Sequence, residues 1–412
     1  MTSSDYDVAI VGGGLVGGCL ACALGRTGLR TLVIEAVAPR TDRHPSYDER
    51  VIALSWTSQR ILAGIGLWPR IADGAEPIHQ VQVSQAGGFG ITRIRADEEA
   101  VEALGYVIPA RLLGIAIHEV LSEQTNLTLL APARLSEFQI DAESASLVVR
   151  AGEDLVRLRG RLLVAADGGD SKVRQRLGIR VREHRYGQDA VIATVTAERP
   201  QPGTAFERFT ETGPLALLPL SGGRYSVVWT TLEEQTAELL SLSDEAFVAR
   251  LRDRFGLKLG RFLEPSRRLA YPLRLMLTPD PTGPRTALIG NAAHTLHPVA
   301  GQGLNLGLRD VAALAEVLSA SNRAGLDPGS ASVLASYRDW RRADHAAVAA
   351  VTDALARHFI HTWPPLRLAR DLGLLGLGLF AGPRHLLARR LMGRYGRQTR
   401  LARGLRLEIP DE

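Results

Sequence analysis

The sequence predicts an α/β protein in which a Rossmann-like dinucleotide-binding domain carries an inserted antiparallel β-sheet domain and is followed by a C-terminal helical segment. Three observations support this prediction: a glycine-rich strand–turn–helix near the start, a second glycine-rich turn roughly 275 residues later, and short strands with turn signals between them. The predicted boundaries are 1–75, 100–180 and 274–330 for the discontinuous dinucleotide domain, 76–99 and 181–273 for the β-rich domain, and 331–412 for the helical segment.

The first element is an apolar strand, followed by a glycine-rich turn, a helix-like stretch and a second strand. The first strand is Val8–Val11, the turn is Gly12–Gly17, the helix-like stretch runs to Gly28, and the second strand is Thr31–Glu35. Gly12, Gly14 and Gly17 fit the pattern G-x-G-x-x-G, in which they make the turn, admit a pyrophosphate and let the helix pack on the sheet. Glu35 ends the second strand and can accept hydrogen bonds from ribose hydroxyls. This context predicts dinucleotide binding.

The middle of the chain changes from helical to strand-like patterns. A strand-like region at 78–94 with a Gly87-Gly88 turn comes first, and a helix is expected at Ala110–Ser122. Further strands are expected at Leu127–Leu130, Leu147–Val149, Leu162–Ala165, Val191–Thr196, Gly203–Thr210, Leu215–Leu220 and Tyr225–Thr230, with a helix near Ser243–Phe255. The later strands predict an antiparallel sheet in the inserted domain.

The second glycine-rich turn follows a predicted buried strand, Arg285–Ile289, and the small residues 290–293. Gly301 and Gly303 then open a helix that is expected to begin near Leu304. A helix N-terminus lined by glycine is a ready-made site for negative charge. After Asp310 the pattern is helical to the end of the chain.

Composition limits the classes of protein that fit. The chain has 412 residues, 45% hydrophobic and 23% charged, as expected for a globular protein with two cores. No apolar run reaches the ~18–20 residues of a membrane span, and no signal peptide is recognisable. Cys19 and Cys22 do not form a secreted disulfide framework, and we interpret them as small buried residues of a helix. A cytoplasmic location is therefore expected.

Three motifs in order carry a resemblance to a known family. They are Gly12–Gly17 with Glu35, the sequence D-G-x-x-S-x-x-R at Asp167–Arg174, and Gly290–His294 continuing to Asn305, which is similar to G-D-A-A-H…P…G-Q-G-x-N. With these motifs the chain resembles the class A flavoprotein aromatic hydroxylases, which have the para-hydroxybenzoate hydroxylase fold. Within that family it resembles the ubiquinone-biosynthesis branch, on Asn291, Ala205–Thr210, Gly213–Leu220 and Val228-Trp229.

The resemblance implies a Rossmann-like FAD-binding domain of the GR2 type, with FAD as cofactor and NAD(P)H as co-substrate. It also implies hydroxylation of the ring of a polyprenylated methoxyphenol by O2, through NAD(P)H-reduced flavin and a C4a-hydroperoxide. The implied cofactor residues are Gly12, Gly14, Gly17, Glu35, Arg50, Arg111, Asp167, Gly290, Asn291, Gly301, Gln302, Gly303, Leu304 and Asn305. Asn291 stands where the family usually has Asp, which puts FAD affinity in question because an amide carries no charge.

The same resemblance suggests residues for the chemistry. Pro298 is expected as a rigid wall against the flavin ring, and the backbone N–H groups of Gly301 and Gln302 are expected to stabilise reduced flavin. His297 or a water is expected to accept a proton from the phenol, and the sequence does not decide between them. The candidate substrate residues are Phe206, Phe209, Leu218, Pro219 and Trp229, and ordinary core packing is the alternative for the aromatic ones.

Other functions stay open at this point. The nearest alternatives are an FAD-dependent reductase of an isoprenoid lipid and a non-catalytic subunit of a lipid-associated biosynthetic complex. Paired histidines, His294/His297 and His358/His361, have helical spacing but lack nearby Cys or acidic ligands, so no metal is expected.

The C-terminal segment is basic. From Arg357 onward it has eleven Arg and four acidic residues, a net charge of +7 against +5 for the whole chain. Leu372–Phe380 with the arginines beyond it could lie on the inner face of a membrane, pack on the protein or contact a ubiquinone-biosynthesis complex. Nucleic-acid binding is not expected, because no aromatic–basic interleaving is present.

Overall fold

The structure, a computed structural model, describes residues 5–38, 50–358 and 363–407. The strands are β1 Tyr6–Val11, β2 Thr31–Ile34, β3 Val51–Ser55, β4 Glu76–Ile78, β5 Gln80–Gln85, β6 Ile91–Arg95, β7 Gly105–Pro109, β8 Leu127–Leu130, β9 Arg134–Ile140, β10 Ala145–Ala151, β11 Asp154–Ala165, β12 Arg182–Ala197, β13 Thr204–Thr210, β14 Gly213–Pro219, β15 Arg224–Leu232, β16 Phe262–Leu263, β17 Leu269–Leu277, β18 Thr282–Gly283, β19 Thr286–Leu288 and β20 His294–Thr295.

Helices connect and cover the strands. They are α1 Leu15–Leu24, α2 Trp56–Gly64, α3 Trp68–Ile71, α4 Ala110–Ser122, α5 Lys172–Arg176, α6 Glu233–Ser241, α7 Asp244–Phe255, α8 Gln302–Arg323, α9 Ala331–His358, α10 Pro364–Leu379 and α11 Ala381–Leu391.

The first sheet has the strand order β18-β19-β11-β1-β2-β8, with β10 and β9 extending from β11. The strands from β19 to β8 run parallel, so the carboxyl ends of β1, β2, β11 and β19 meet at one edge. β1, β2 and β19 are short and apolar, as expected for strands buried on both faces. Ligand sites in parallel α/β sheets lie at this edge, and both glycine-rich turns begin there.

The second sheet is largely antiparallel, in the order β20-β17-β12-β15-β14-β13-β5-β6, with β16 beside β12. One face packs on α7 through an aromatic core that includes Phe206, Trp229 and Phe247. The other face looks toward the first sheet. The α/β fold with an antiparallel insertion and C-terminal helices is thus confirmed. The domain boundaries themselves stay a prediction.

Local differences from the sequence expectations have physical reasons. Val51–Ser55, directly after Arg50, is not among the strands expected from the sequence, but it forms β3 because its β-branched residues pair with β7. The helix expected near Leu304 begins at Gln302. The described part of the C-terminal segment is not helical throughout, since α11 ends at Leu391 and a 3-10 turn follows only at Leu401–Arg403 within residues 392–407.

A buried charge cluster joins the second glycine-rich segment to two helices. Asp310 on α8 is fully buried, and it accepts hydrogen bonds from Gly290 N at 3.2 Å and from Arg341 Nε at 2.8 Å. Its two carboxylate oxygens also contact His294 Nε2 at 2.7 Å and His345 Nε2 at 2.6 Å. Burial would raise the pKa of Asp310, but the neighbouring histidines and Arg341 hold that pKa well below its ordinary value. The carboxylate therefore stays charged.

We predict that Asp310→Asn lowers the free energy of unfolding by about 3 kcal/mol, because it removes one of the two carboxylates that pair with the buried Arg341, the other being Asp344. The measurement is urea unfolding at neutral pH. Since the pKa of Asp310 is depressed in the folded state, its contribution should be complete above about pH 4 and decline on acidification.

A matched control is Glu238→Gln, which removes the exposed pair of Glu238 with Arg250. Exposed pairs contribute below about 1 kcal/mol, so this variant should unfold like the parent protein. Equal stability of the two variants would contradict the role assigned to the cluster.

Candidate functional site

One cavity of about 1230 Å³ lies between the two sheets, and both glycine-rich turns line it. The predicted site residues that line the cavity are Gly12, Gly14, Glu35, Arg50, Asp167, Phe206, Phe209, Leu218, Asn291, Pro298, Gly301, Gln302, Gly303, Leu304 and Asn305. Other predicted residues are not among the lining residues in the described part of the chain: Gly17, Arg111, Pro219, Trp229, Gly290 and His297.

The first turn is closed by backbone packing that excludes side chains. A Cβ at Gly12 would lie 2.4 Å from Ala166 O, and one at Gly17 would lie 1.9 Å from Gly12 O. Gly12 also has φ of +100°, which favours glycine. Gly14 then caps α1, so the N-terminus of α1 faces the cavity. Gly17 therefore shapes the turn from outside the cavity.

Glu35 holds the first turn in place. Its Oε2 accepts a hydrogen bond from Gly13 N at 2.6 Å, and its Oε1 accepts one from Val37 N at 2.8 Å. The carboxylate lines the cavity at the end of β2. Glu35 remains a candidate to accept hydrogen bonds from ribose hydroxyls, because a carboxylate oxygen can accept more than one hydrogen bond.

The second turn places the N-terminus of α8 at the same cavity. Ala300 and Gly301 both have φ of +59°, so the chain turns sharply before α8. A Cβ at Gly303 would meet no atom within 4 Å, because the space in front of it is the cavity. The N-termini of α1 and α8 are thus two anion-favouring ends on one cavity.

Asn305 locks this turn to β3. Its Oδ1 accepts hydrogen bonds from Ser55 N at 2.8 Å and Ser58 Oγ at 2.7 Å. Its Nδ2 donates to Ala53 O at 2.9 Å and Gly301 O at 2.7 Å. These bonds use the full donor and acceptor capacity of the amide, so we assign Asn305 to positioning the turn.

The Asp167–Arg174 motif connects the two glycine-rich segments. Asp167 Oδ2 accepts hydrogen bonds from Lys172 N at 2.9 Å and Val173 N at 3.3 Å, at the start of α5. Its Oδ1 is buried at the cavity with no hydrogen-bond partner among the described residues. Arg174 donates to Ala292 O at 2.8 Å, which ties the motif to the second glycine-rich segment.

Of four further predicted cofactor residues, two line the cavity and two do not. Arg50 lines the cavity with its guanidinium 5.5 Å from the centre of the Tyr271 ring. Asn291 also lines the cavity and is exposed to it, whereas Gly290 packs against Val16. Arg111 is exposed near the start of α4, away from the lining.

His297 is buried outside the cavity lining. Its Nδ1 accepts a hydrogen bond from Val299 N at 3.2 Å, and its ring packs edge-on against Tyr186. Burial lowers the pKa of His297 to about 4, so the ring is neutral at pH 7. Its position makes direct proton transfer from a substrate in the cavity unfavourable.

The predicted substrate residues divide between cavity and core. Phe209 and Leu218 line the cavity, and Phe206 lines it while also packing on Phe255. Trp229 is 3% exposed and packs on Phe247, so it belongs to the core of the inserted domain.

Sequence reasoning missed two parts of the site. The first is Glu207 on β13, which lines the cavity beside the second turn. The second is an apolar end of the cavity beneath α10 and α11, formed by Ile94, Leu104, Leu374, Leu377, Leu387, Leu391 and Met392. Alternation along β13 could have found Glu207, because it shares a strand face with Phe209. The apolar end depends on tertiary contacts.

Two other candidate sites have structural explanations. Cys19 and Cys22 are buried in α1, and burial raises the pKa of both thiols, so they are inert packing residues. His294, Asp310 and His345 place their nitrogen and oxygen atoms close enough together to hold a metal ion, but Arg341 donates a hydrogen bond to the same Asp310 carboxylate. The absence of a metal site stays a prediction, and His361 lies outside the described residues.

Comparisons with known proteins identify the family. A family model described as an FAD binding domain matches residues 5–352. The ubiquinone hydroxylase UbiL of Rhodospirillum rubrum is 42% identical over 387 residues, covering 94% of this chain and 89% of the relative. The chain belongs to the class A FAD-dependent aromatic hydroxylases.

Other relatives agree with this assignment. The 3-demethoxyubiquinol 3-hydroxylase of Escherichia coli is 33% identical, with 91% of this chain and 95% of that protein covered. The crystal structure of p-nitrophenol 4-monooxygenase PnpA from Pseudomonas putida has a TM-score of 0.79 at 20% identity, covering 96% and 99% of the two chains, and shows the same fold. This protein is an FAD-dependent hydroxylase of the ubiquinone-biosynthesis family, a class that typically uses NAD(P)H.

The cavity of this hydroxylase fits FAD. The open space at Gly303 provides room, and Asp167 Oδ1, which has no partner among the described residues, provides an acceptor. The two helix N-termini provide favourable sites for negative charge. We propose that the residues at the α1 turn hold the adenosine diphosphate part of FAD, and that those at the α8 turn hold the flavin part.

We predict that Gly303→Val reduces FAD retention strongly while leaving the fold intact, because the new side chain enters open cavity space. FAD absorbance of the purified variant measures retention, and thermal unfolding of cofactor-free protein measures stability.

Gly17→Val is the informative comparison, since its side chain would collide with the backbone at Gly12 O. This variant should lose both FAD and stability. Full FAD content in Gly303→Val would show that the cofactor does not occupy the space in front of α8.

Proposed function

We propose that this hydroxylase adds one oxygen atom from O2 to the aromatic ring of a polyprenylated methoxyphenol in ubiquinone biosynthesis, with NAD(P)H as reductant. The observation that carries the proposal is the continuity of the cavity. It runs from the two glycine-rich turns, past the apolar face of the second sheet, to the leucine-lined end beneath α10 and α11. The names of the relatives in ubiquinone biosynthesis support the same substrate class.

The residues of the chain have distinct parts in this proposal. The chemistry that bound FAD supplies is acceptance of a hydride and activation of O2 for transfer to an electron-rich ring. The N-terminus of α8 stabilises negative charge near Gly301 and Gln302. Phe209 and Leu218 hold the substrate ring and exclude water.

The prenyl tail occupies the apolar end of the cavity in this proposal. Leu374 and Leu377 of α10 line one side, and Leu387 and Leu391 of α11 line another. Burial stabilises a hydrocarbon chain by about 0.8 kcal/mol per CH2 group, so a tail with several prenyl units would bind well here. A tail also explains why C-terminal helices cover the cavity.

We predict that FAD-loaded protein converts a short-tailed prenylated methoxyphenol to a catechol that carries one atom of ¹⁸O from ¹⁸O2. Mass spectrometry of the product measures the incorporation, and reactions without NAD(P)H provide the control. Turnover without ¹⁸O would favour a reductase of isoprenoid lipids, and FAD binding without any turnover would favour a non-catalytic subunit.

We further propose that α10 docks on an anionic membrane surface. Its outer face exposes Leu368, Leu372, Leu375 and Leu379 at helical spacing, and Phe380 follows. The arginines of the same segment can attract anionic lipid. Among the described residues, no helix has both the length and the apolarity needed to cross a bilayer. The alternative partner for this face of α10 is a protein of a ubiquinone-biosynthesis complex.

We predict that Leu372→Gln with Leu379→Gln lowers binding to phosphatidylglycerol vesicles by tenfold or more, because both side chains would leave the acyl region. Vesicle co-sedimentation measures the binding. Leu257→Gln is the matched control, since Leu257 is 76% exposed in the inserted domain. Equal binding of all three proteins would exclude α10 as the membrane contact.

A further inference from the structure

Glu207 is a carboxylate in an otherwise apolar wall of the cavity. It lies on β13 between Val83 of β5 and Ala216 of β14, which are its register partners. The neighbouring residues of the same strand face that line the cavity are Ala205 and Phe209. An ionisable group at such a position costs free energy unless it has a partner, and functional sites are where such groups concentrate.

The second glycine-rich turn lies beside Glu207. The backbone N–H of Ala300 interacts with the carboxylate and lowers its pKa, and Ala300 directly precedes Gly301 at the start of α8. The Oε1 atom of Glu207 is buried and has no hydrogen-bond partner among the described residues. The carboxylate therefore lies beside the turn in the cavity lining, and its hydrogen-bonding capacity is not used up by the described residues.

Few charges surround Glu207 on this side of the sheet. Arg208, the next residue, donates from Nε to Arg254 O on the other face, and His297 near the turn is neutral. Tyr271 of β17, with Arg50 over its ring, lines the cavity farther along. The other charged lining residues in the described ranges are Glu35, Arg134, Asp167, Asp170, Lys172 and Arg176.

We propose, resting on the proposed function, that Glu207 accepts the proton of the phenolic hydroxyl of the substrate. The phenolic O–H bond breaks, a new O–H bond forms at the Glu207 carboxylate, and the products are a phenolate and a neutral carboxylic acid. A phenolate is more electron-rich than a phenol, so its ring attacks an electrophilic oxygen more readily. After oxygen transfer, the ring carbon loses its proton to water and the Glu207 proton returns to the phenolic oxygen.

The ionisation of Glu207 suits this role. Burial raises the pKa of its carboxyl to about 7, and the Ala300 N–H bond opposes the rise. The pKa of a phenol is about 10, and the pKa of Glu207 is closer to it than that of an ordinary Glu. Proton transfer from the phenol to Glu207 is therefore less unfavourable. At pH above 7 the group is an available base.

The test compares Glu207→Gln with the parent in single-turnover hydroxylation of a short-tailed prenylated methoxyphenol, across pH 5 to 10. The parent rate should rise to a plateau through about pH 7. The amide keeps a polar oxygen beside the Ala300 N–H but cannot take the proton, so the rate of this variant at pH 7 should fall about 100-fold. The rate of this variant should keep rising as the pH approaches about 10, the pKa of the phenol itself.

Two further variants separate proton transfer from positioning. Glu207→Asp keeps the base and should retain a plateau, at a lower rate because the carboxylate is farther from the substrate. Glu211→Gln is the matched control, because Glu211 is 73% exposed on the turn between β13 and β14. It should behave like the parent. A plateau at pH 7 in Glu207→Gln would overturn the proposal and leave Glu207 as a support for Ala300.

A readout without turnover keeps the inference independent of the proposed substrate. Infrared difference spectra of FAD-loaded, substrate-free protein should show a protonated carboxyl band that disappears as pH rises through about 7. The band should be absent in Glu207→Gln. A parent protein that lacks hydroxylase activity but shows this titration would contradict the proposed function and not the ionisation of Glu207. Absence of the titration would overturn the inference.

Discussion

The buried carboxylate of Asp310 is the interaction on which the site depends. It joins Gly290 and His294, from the segment after β19, to Arg341 and His345 on α9. A charge buried this deeply stabilises the fold only with complete hydrogen bonding. Because Asp310 has that bonding, the chain after β19 and the N-terminus of α8 have defined positions relative to the first sheet.

The strand order of the first sheet explains how two turns far apart in sequence line one cavity. β1 and β19 belong to one sheet with β11 between them, so the turns that follow β1 and β19 meet at the same edge. Arg174 and Asn305 add direct bonds from the Asp167 motif and from β3. The site is thus held by rigid elements, which is what orientation of a cofactor and a ring requires.

The cavity combines two environments that a prenylated phenol would need. One end has backbone amides, helix N-termini and polar groups such as Asp167, and the other end is lined by leucines from α10 and α11. Glu207 lies on the apolar sheet face beside the Ala300 turn. Burial raises the pKa of Glu207, and a base shielded from bulk water interacts with its substrate more strongly, since solvent screens it less.

The sequence by itself determined the fold class, the two glycine-rich turns and most strands, because these depend on local periodicity and on glycines that backbone contacts require. It also identified the FAD-dependent hydroxylase family through three ordered motifs. Tertiary structure decided which predicted residues face the cavity: His297, Trp229 and Arg111 do not line it, and Glu207 does. Spacing along one strand or helix cannot reveal contacts between β13, the Ala300 turn and α10, because these elements come together only through packing of the two sheets and the C-terminal helices.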